Sequence, residues 1–102
     1  MIKLTPELQS IRRRTAPVFR RYGIRKASVF GSHARGDARV RSDVDILVDV
    51  PRGMGLFAFS GLRLDLMDAL KKNVDLVTYR SLHHLIRDEV LEQQKVIYDK
   101  AS

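Results

Sequence analysis

The segment Ser42-Asp43-Val44-Asp45-Ile46-Leu47-Val48 constrains the fold of this chain more than any other. A strand built over Val44–Val50 places Val44, Ile46, Val48 and Val50 on one face, and Asp43, Asp45, Leu47 and Asp49 on the other. Two carboxylates at the head of a buried strand are costly to desolvate unless something positive binds over them. At the rise of a strand the two Cα atoms stand about 6.5–7 Å apart, so both side chains can serve hard, oxygen-preferring cations. The remaining sequence has to supply helices for the apolar face and a ligand for the acidic one.

Thr5-Pro6-Glu7 reads as a helix start, with Thr5 as N-cap and Pro6 in the first turn. Leu8, Ile11, Thr15, Val18 and Tyr22 continue it at helical spacing, with a kink or break expected near Ala16 because Pro17 lies inside the pattern. Gly23 ends the helix. Lys26–Phe30 is a short strand stopped by Gly31, and Pro51–Gly55 is a loop. A second helix covers Leu56 to Lys72, with Phe59, Leu62, Leu66 and Leu70 as its core stripe, widened by Leu56, Leu64 and Met67. Val74–Tyr79 is a third strand. Ser81 is the expected cap of a helix from Leu82 to Gln93, buried through Leu85, Ile86, Val90 and Leu91, and Lys95–Asp99 is a last strand. This order predicts one domain over residues 1–102, of α+β (α/β) class, with helices packed on one face of a small mixed β-sheet.

Asp75 repeats the anomaly of Asp43 and Asp45, standing between Val74 and Leu76 where a strand wants apolar side chains. If its strand lies beside Val44–Val50, alternation turns Val74 and Leu76 toward the helices and Asp75 toward the acidic face. Three carboxylates so placed repel one another unless cations bind. Paired cations about 3.5–4 Å apart suit phosphoryl or nucleotidyl transfer, in which one oxygen attacks and another leaves. Gly31-Ser32 permits a tight turn and close backbone approach, and with the amides of a short helix through His33-Ala34-Arg35-Gly36 it is a phosphate cradle. Arg35 meets phosphate or supports that turn. Each feature has a plain structural reading: a strand-entry cap for Asp43, an edge-strand charge for Asp45, a turn residue for Asp75. Their joint occurrence is what points to chemistry. His33 reads as a satisfied or solvent-facing histidine, and His83-His84 as surface or capping residues.

The chain has no cysteine, which excludes disulfides, thiolate metal sites and a cysteine nucleophile. Its net charge of +7 draws on Arg12-Arg13-Arg14, Arg20-Arg21, Arg39 and Arg41, a surplus that suits an anionic partner or a solvated surface. Only Tyr22 stands among these arginines, so a base-stacking nucleic-acid surface is poorly supported. No apolar run is long enough to span a bilayer and the N-terminus has no apolar signal region, so a cytoplasmic protein without membrane contact is expected.

The full pattern resembles the nucleotidyltransferase superfamily typified by DNA polymerase beta, and within it the minimal nucleotidyltransferase (MNT) branch. Gly31-Ser32-His33-Ala34-Arg35-Gly36, Ser42-Asp43-Val44-Asp45-Ile46-Leu47-Val48 and Val74-Asp75-Leu76-Val77 carry the likeness, and Leu85–Asp99 is similar to the closing helix and strand of that branch. The resemblance implies that Gly31 and Ser32 hold a nucleoside triphosphate, with Arg35 beside them. It implies that Asp43 and Asp45 bind Mg2+, two ions in all, and that Asp75 joins the metal site and helps activate an incoming hydroxyl. It further implies ATP as substrate and a HEPN-type toxin as partner in a hetero-oligomer, with AMP transferred to a tyrosine of that toxin. Larger superfamily members carry an extra domain, so the resemblance leaves the partner to complete the site. The alternative is an antitoxin that neutralises its partner by binding alone, with Met54–Phe59 as a contact surface; those side chains otherwise pack into the core. A small-molecule nucleotidyltransferase is a third reading and asks for more acceptor-binding chain.

Overall fold

Thr5 caps the first helix as its chemistry requires: its Oγ1 accepts a hydrogen bond from the Leu8 amide at 3.2 Å. The computed structural model describes residues 4–39 and 42–101; Arg41, one of the arginines of the basic surplus, lies outside them. Helix α1 (Pro6–Arg21) runs unbroken through Pro17. Pro17 and Arg13, whose carbonyl the proline leaves without a helical donor, are both exposed, so water can serve that carbonyl and the expected break does not occur. Strand β1 (Lys26–Phe30) leads into the short helix α2 (Gly31–Arg35), followed by β2 (Val44–Asp49), α3 (Leu56–Leu70), β3 (Val74–Thr78), α4 (His84–Gln93) and β4 (Lys95–Asp99).

The four strands form one mixed sheet in the order β3-β2-β1-β4. Helix α3 returns the chain across the sheet, so β2 and β3 run parallel, while β1 pairs antiparallel with both β2 and β4. This is the α+β architecture expected from the element order. The core lies between one sheet face and helices α1 and α3: Phe19 and Ile11 of α1 and Leu62, Leu66 and Leu70 of α3 pack on Val29, Val44, Ile46, Val48, Val74 and Leu76. Phe19 tilts against Tyr98 of β4 with ring centroids 5.3 Å apart. Asp65 of α3 accepts from Tyr22 Oη at 2.6 Å and from Arg21 at 3.0 Å, which latches the end of α1 to α3.

The second sheet face is also covered in its middle. Ser28 and Leu47, paired across β1 and β2, are fully buried there. Tyr79 lies over Ser28, its Oη 2.9 Å from Ser28 Oγ and donating to Gln94 Oε1 at 2.8 Å.

Three details depart from the sequence reading. Leu56 and Leu64 are 80% and 59% exposed, so the core stripe of α3 is narrower than proposed, and the helix stops at Leu70. Met54 and Phe59 do pack on the core, whereas Phe57 does not. At α4, Ser81 bonds back to Thr78, and the cap is His83, whose Nδ1 accepts from the Leu85 amide at 3.2 Å. The helix therefore starts two residues later, at His84, which rotates Leu85 and Ile86 outward and leaves Leu82 buried before it. His83 and His84 stack with centroids 4.7 Å apart, consistent with their reading as surface and capping residues. Among the described residues no helix is long and apolar enough to cross a membrane.

Candidate active site

The sheet register brings the acidic residues together. Asp45 on β2 is paired with Phe30 on β1 and, on its other side, with Asp75 on β3. Residues paired across a sheet share a face, so Phe30, Asp45 and Asp75 form one row at the edge of the second face. The Val44 amide donates to the Asn73 carbonyl at 3.0 Å, tying the head of β2 to the start of β3 and fixing that register. Val44, Ile46, Val74 and Leu76 turn to the buried side as alternation requires, leaving Asp45 half-buried and Asp75 exposed. Asp43 stands one residue before β2 and is exposed.

Gly31 closes the site from β1. Its φ is +69°, in the left-handed region, and a Cβ there would overlap Asp45 Oδ2 and stand 3.2 Å from Asp45 Cγ. The backbone at 31 thus takes the space a side chain would fill, against the Asp45 carboxylate. The turn behind it is closed by the Ser32 carbonyl, which accepts from the amides of Gly36 at 3.0 Å and Asp37 at 3.1 Å, with Gly36 at φ +83°. Arg35 donates from Nε to Asp37 Oδ2 at 3.3 Å across an exposed surface, so it supports the turn in this state.

Burial raises the pKa of the Asp45 carboxyl above the ordinary carboxylate value, and the neighbouring charges of Asp75 and Asp43 raise it further; His33 and Arg35 partly offset them. A carboxylate pressed this way favours a bound cation. The donors are all carboxylate oxygens, and the open backbone at Gly31 leaves room beside Asp45, so the residues present suit a hard divalent ion. Among the described residues no three His, Asp or Glu side chains are gathered closely enough to enclose a metal by themselves. Such an ion would take further ligands from phosphate oxygens and water.

Of the residues singled out from the sequence, the fold sets Gly31 against Asp45, pairs Asp45 with Asp75, and brings Asp43 and Arg35 near enough for their charges to act on Asp45, while Ser32 follows Gly31 in α2. Sequence reasoning read His33 as satisfied or solvent-facing; the ring is buried, which leaves the first and rules out the second, and its partners were missed. His33 Nδ1 bonds to Glu7 Oε1 of α1, and Nε2 lies 3.3 Å from the Ser42 carbonyl. Glu7 is the first acidic residue of α1 and carries no local signal of this contact.

This sheet, with an acidic row beside a Gly-Ser turn, defines a nucleotidyltransferase fold. Residues 14–102 match the family described as Polymerase beta, Nucleotidyltransferase, and the chain belongs to that family. Among curated relatives, the protein adenylyltransferase MntA of Thermococcus cleftensis is 44% identical over 76% of this chain and 77% of its own length. Among solved structures, a toxin–antitoxin complex with AMP-PNP contains a chain that superimposes with a TM-score of 0.74 at 26% identity, covering 87% of this chain and 73% of that one. A tri-AMPylated Shewanella oneidensis HEPN toxin in complex with MNT antitoxin gives a TM-score of 0.69 at 24% identity over 92% of this chain and 74% of that one, a likeness of fold.

Proposed function

We propose that this protein is an antitoxin that transfers AMP from ATP to a hydroxyl, a tyrosine in our reading, of a HEPN-type toxin. The observation that carries the reading is the pairing of Asp45 with Asp75 in a site where the Gly31 backbone lies against the Asp45 carboxylate. The relative named a protein adenylyltransferase and the neighbour that holds AMP-PNP support a nucleotide substrate. The AMP-bearing toxin of the third comparison supports the kind of acceptor.

In this reading Gly31 and Ser32 bind the triphosphate, the glycine by close backbone approach and the serine through its hydroxyl, with Arg35 at the rim. Asp43, Asp45 and Asp75 are the residues that would hold Mg2+, two ions being the expected complement. A metal bound there would supply positive charge against the phosphate oxygens and the attacking hydroxyl. Asp75, exposed at the edge of the row, takes the proton as the acceptor oxygen forms its bond to the α-phosphorus. The bond from that phosphorus to the bridging oxygen breaks and pyrophosphate leaves.

The test compares ATP labelled at the α-phosphorus with ATP labelled at the γ-phosphorus, each incubated with Mg2+ and the toxin. Label on the toxin from the α-position alone supports AMP transfer; label from the γ-position contradicts it. The second reading, neutralisation by binding alone, is favoured by one observation: Leu56 and Phe57 at the start of α3 are 80% and 96% exposed. Tight complex formation with no transfer of label would favour it.

A further inference from the structure

We propose that His33 is a positioning residue: its ring, oriented by Glu7, holds the Ser42 carbonyl and hence Asp43 against the Gly31-Ser32 turn. This rests on the active-site reading above. Strand pairing secures Asp45, whose neighbours across the sheet are Phe30 and Asp75. Asp43 has no such support, because β2 and its ladder begin at Val44. Among the described residues, the contact that ties the chain just before Asp43 to the Gly31–Gly36 turn is the one from His33 Nε2 to the Ser42 carbonyl, at 3.3 Å.

The ring is built for that task. Its side chain is 1% exposed, so it cannot turn to water without opening the packing around it. It sits in the third position of the Gly31–Gly36 turn, two residues from the glycine that lies against Asp45. The Ser42 carbonyl can only accept, so the ring meets it with Nε2 as the donor, while Nδ1 faces the Glu7 side chain. Glu7 is 51% exposed at its side chain and stands in the first turn of α1, where the helix dipole favours a carboxylate. Glu7 is therefore held at its helix and aims the ring; the ring holds Ser42. Within that loop the Ser42 amide donates to the Arg39 carbonyl at 2.9 Å and the Arg39 amide to Ser42 Oγ at 2.8 Å, so a displaced Ser42 takes its neighbours with it.

A displacement of about 1 Å at a reacting group costs on the order of 100-fold in rate. His33→Ala and Glu7→Leu should each lower kcat of AMP transfer roughly 10- to 100-fold. The KM for ATP should stay within about threefold of wild type, since the Gly31-Ser32 turn keeps its own bonds. The double variant should be no worse than His33→Ala, because the two residues act through one contact chain. Glu7→Gln, which keeps an acceptor for Nδ1, should recover most of the rate. A wild-type kcat in either single variant, or losses that multiply in the double, would overturn the proposal. If the wild-type protein transfers no AMP, the function reading falls on its own, and amide exchange then decides this one. Faster exchange at Arg39 and Ser42 in both variants, with core amides such as Val29 and Leu66 unchanged, supports the clamp; unchanged exchange at Arg39 and Ser42 overturns it.

Discussion

The backbone of Gly31 and the carboxylate of Asp45 compete for the same space: a Cβ on residue 31 would overlap Asp45 Oδ2. Gly31→Ala therefore fails twice, by strain at φ +69° and by displacement of the carboxylate. The variant is expected to lose AMP transfer by on the order of 100-fold, from the cost of a misplaced reacting group. Kinetics on the folded variant, verified by circular dichroism, check this.

Removing the acids separates their roles. Asp43→Ala and Asp45→Ala should each abolish Mg2+-dependent transfer while the core, which lies on the opposite sheet face, stays folded. Asp75→Asn should lower kcat by roughly 100-fold or more, as loss of a general base does, with the KM for ATP little changed. Ser32→Ala should instead raise the KM for ATP about tenfold, the order expected for one lost hydrogen bond to a charged group. Steady-state kinetics with ATP as varied substrate distinguish the two patterns.

The pKa shift of Asp45 has a direction that sets a pH dependence. Folding raises its pKa, so its contribution to stability is fully present below the ordinary aspartate value and is lost as pH rises through the raised one. In chelator, the melting temperature of wild type relative to Asp45→Asn should therefore fall as pH rises through the carboxylate range, a comparison that cancels the opposite contribution of Asp65, whose carboxyl is held low by its hydrogen bond from Tyr22. Asp45→Asn should melt higher than wild type at neutral pH. Added Mg2+ should raise the melting temperature of wild type and leave the variant nearly unmoved. Thermal melts at several pH values, with chelator or with Mg2+, test all three.

On the covered part of the second face, Tyr79 links Ser28 to Gln94. Tyr79→Phe leaves the ring in place and removes the hydroxyl between two polar partners, at a cost of about 1 kcal/mol. For a domain of this size that is a fall of roughly 4–8 °C in melting temperature.

The acidic row was legible because strands have a period of two: once Val44, Ile46 and Val48 face the core, Asp45 has only the other face, and Asp75 follows by the same rule. The mixed sheet followed from the helix between β2 and β3, since parallel strands need such a crossover. What escaped were features set by tertiary contact. Pro17 is tolerated because it lies on the exposed side of α1, a fact of packing and not of local propensity. Ser81 is a good cap by type, but Thr78 claims it, and His83 takes the helix instead. Leu85 and Ile86 fit a buried stripe by spacing, yet α4 has no buried residue. The contact between Glu7 and His33 spans 26 residues and leaves no pattern in either neighbourhood.

The central claim is that the acidic row transfers AMP, and label transfer from α-labelled ATP to the toxin tests it most directly, with wild type and the Asp43→Ala/Asp45→Ala double variant run side by side. The account predicts label on the toxin with wild type and Mg2+, and none with the double variant although it still folds and still binds the toxin. Equal labelling by the two proteins, or none by either while both bind the toxin tightly, would contradict it.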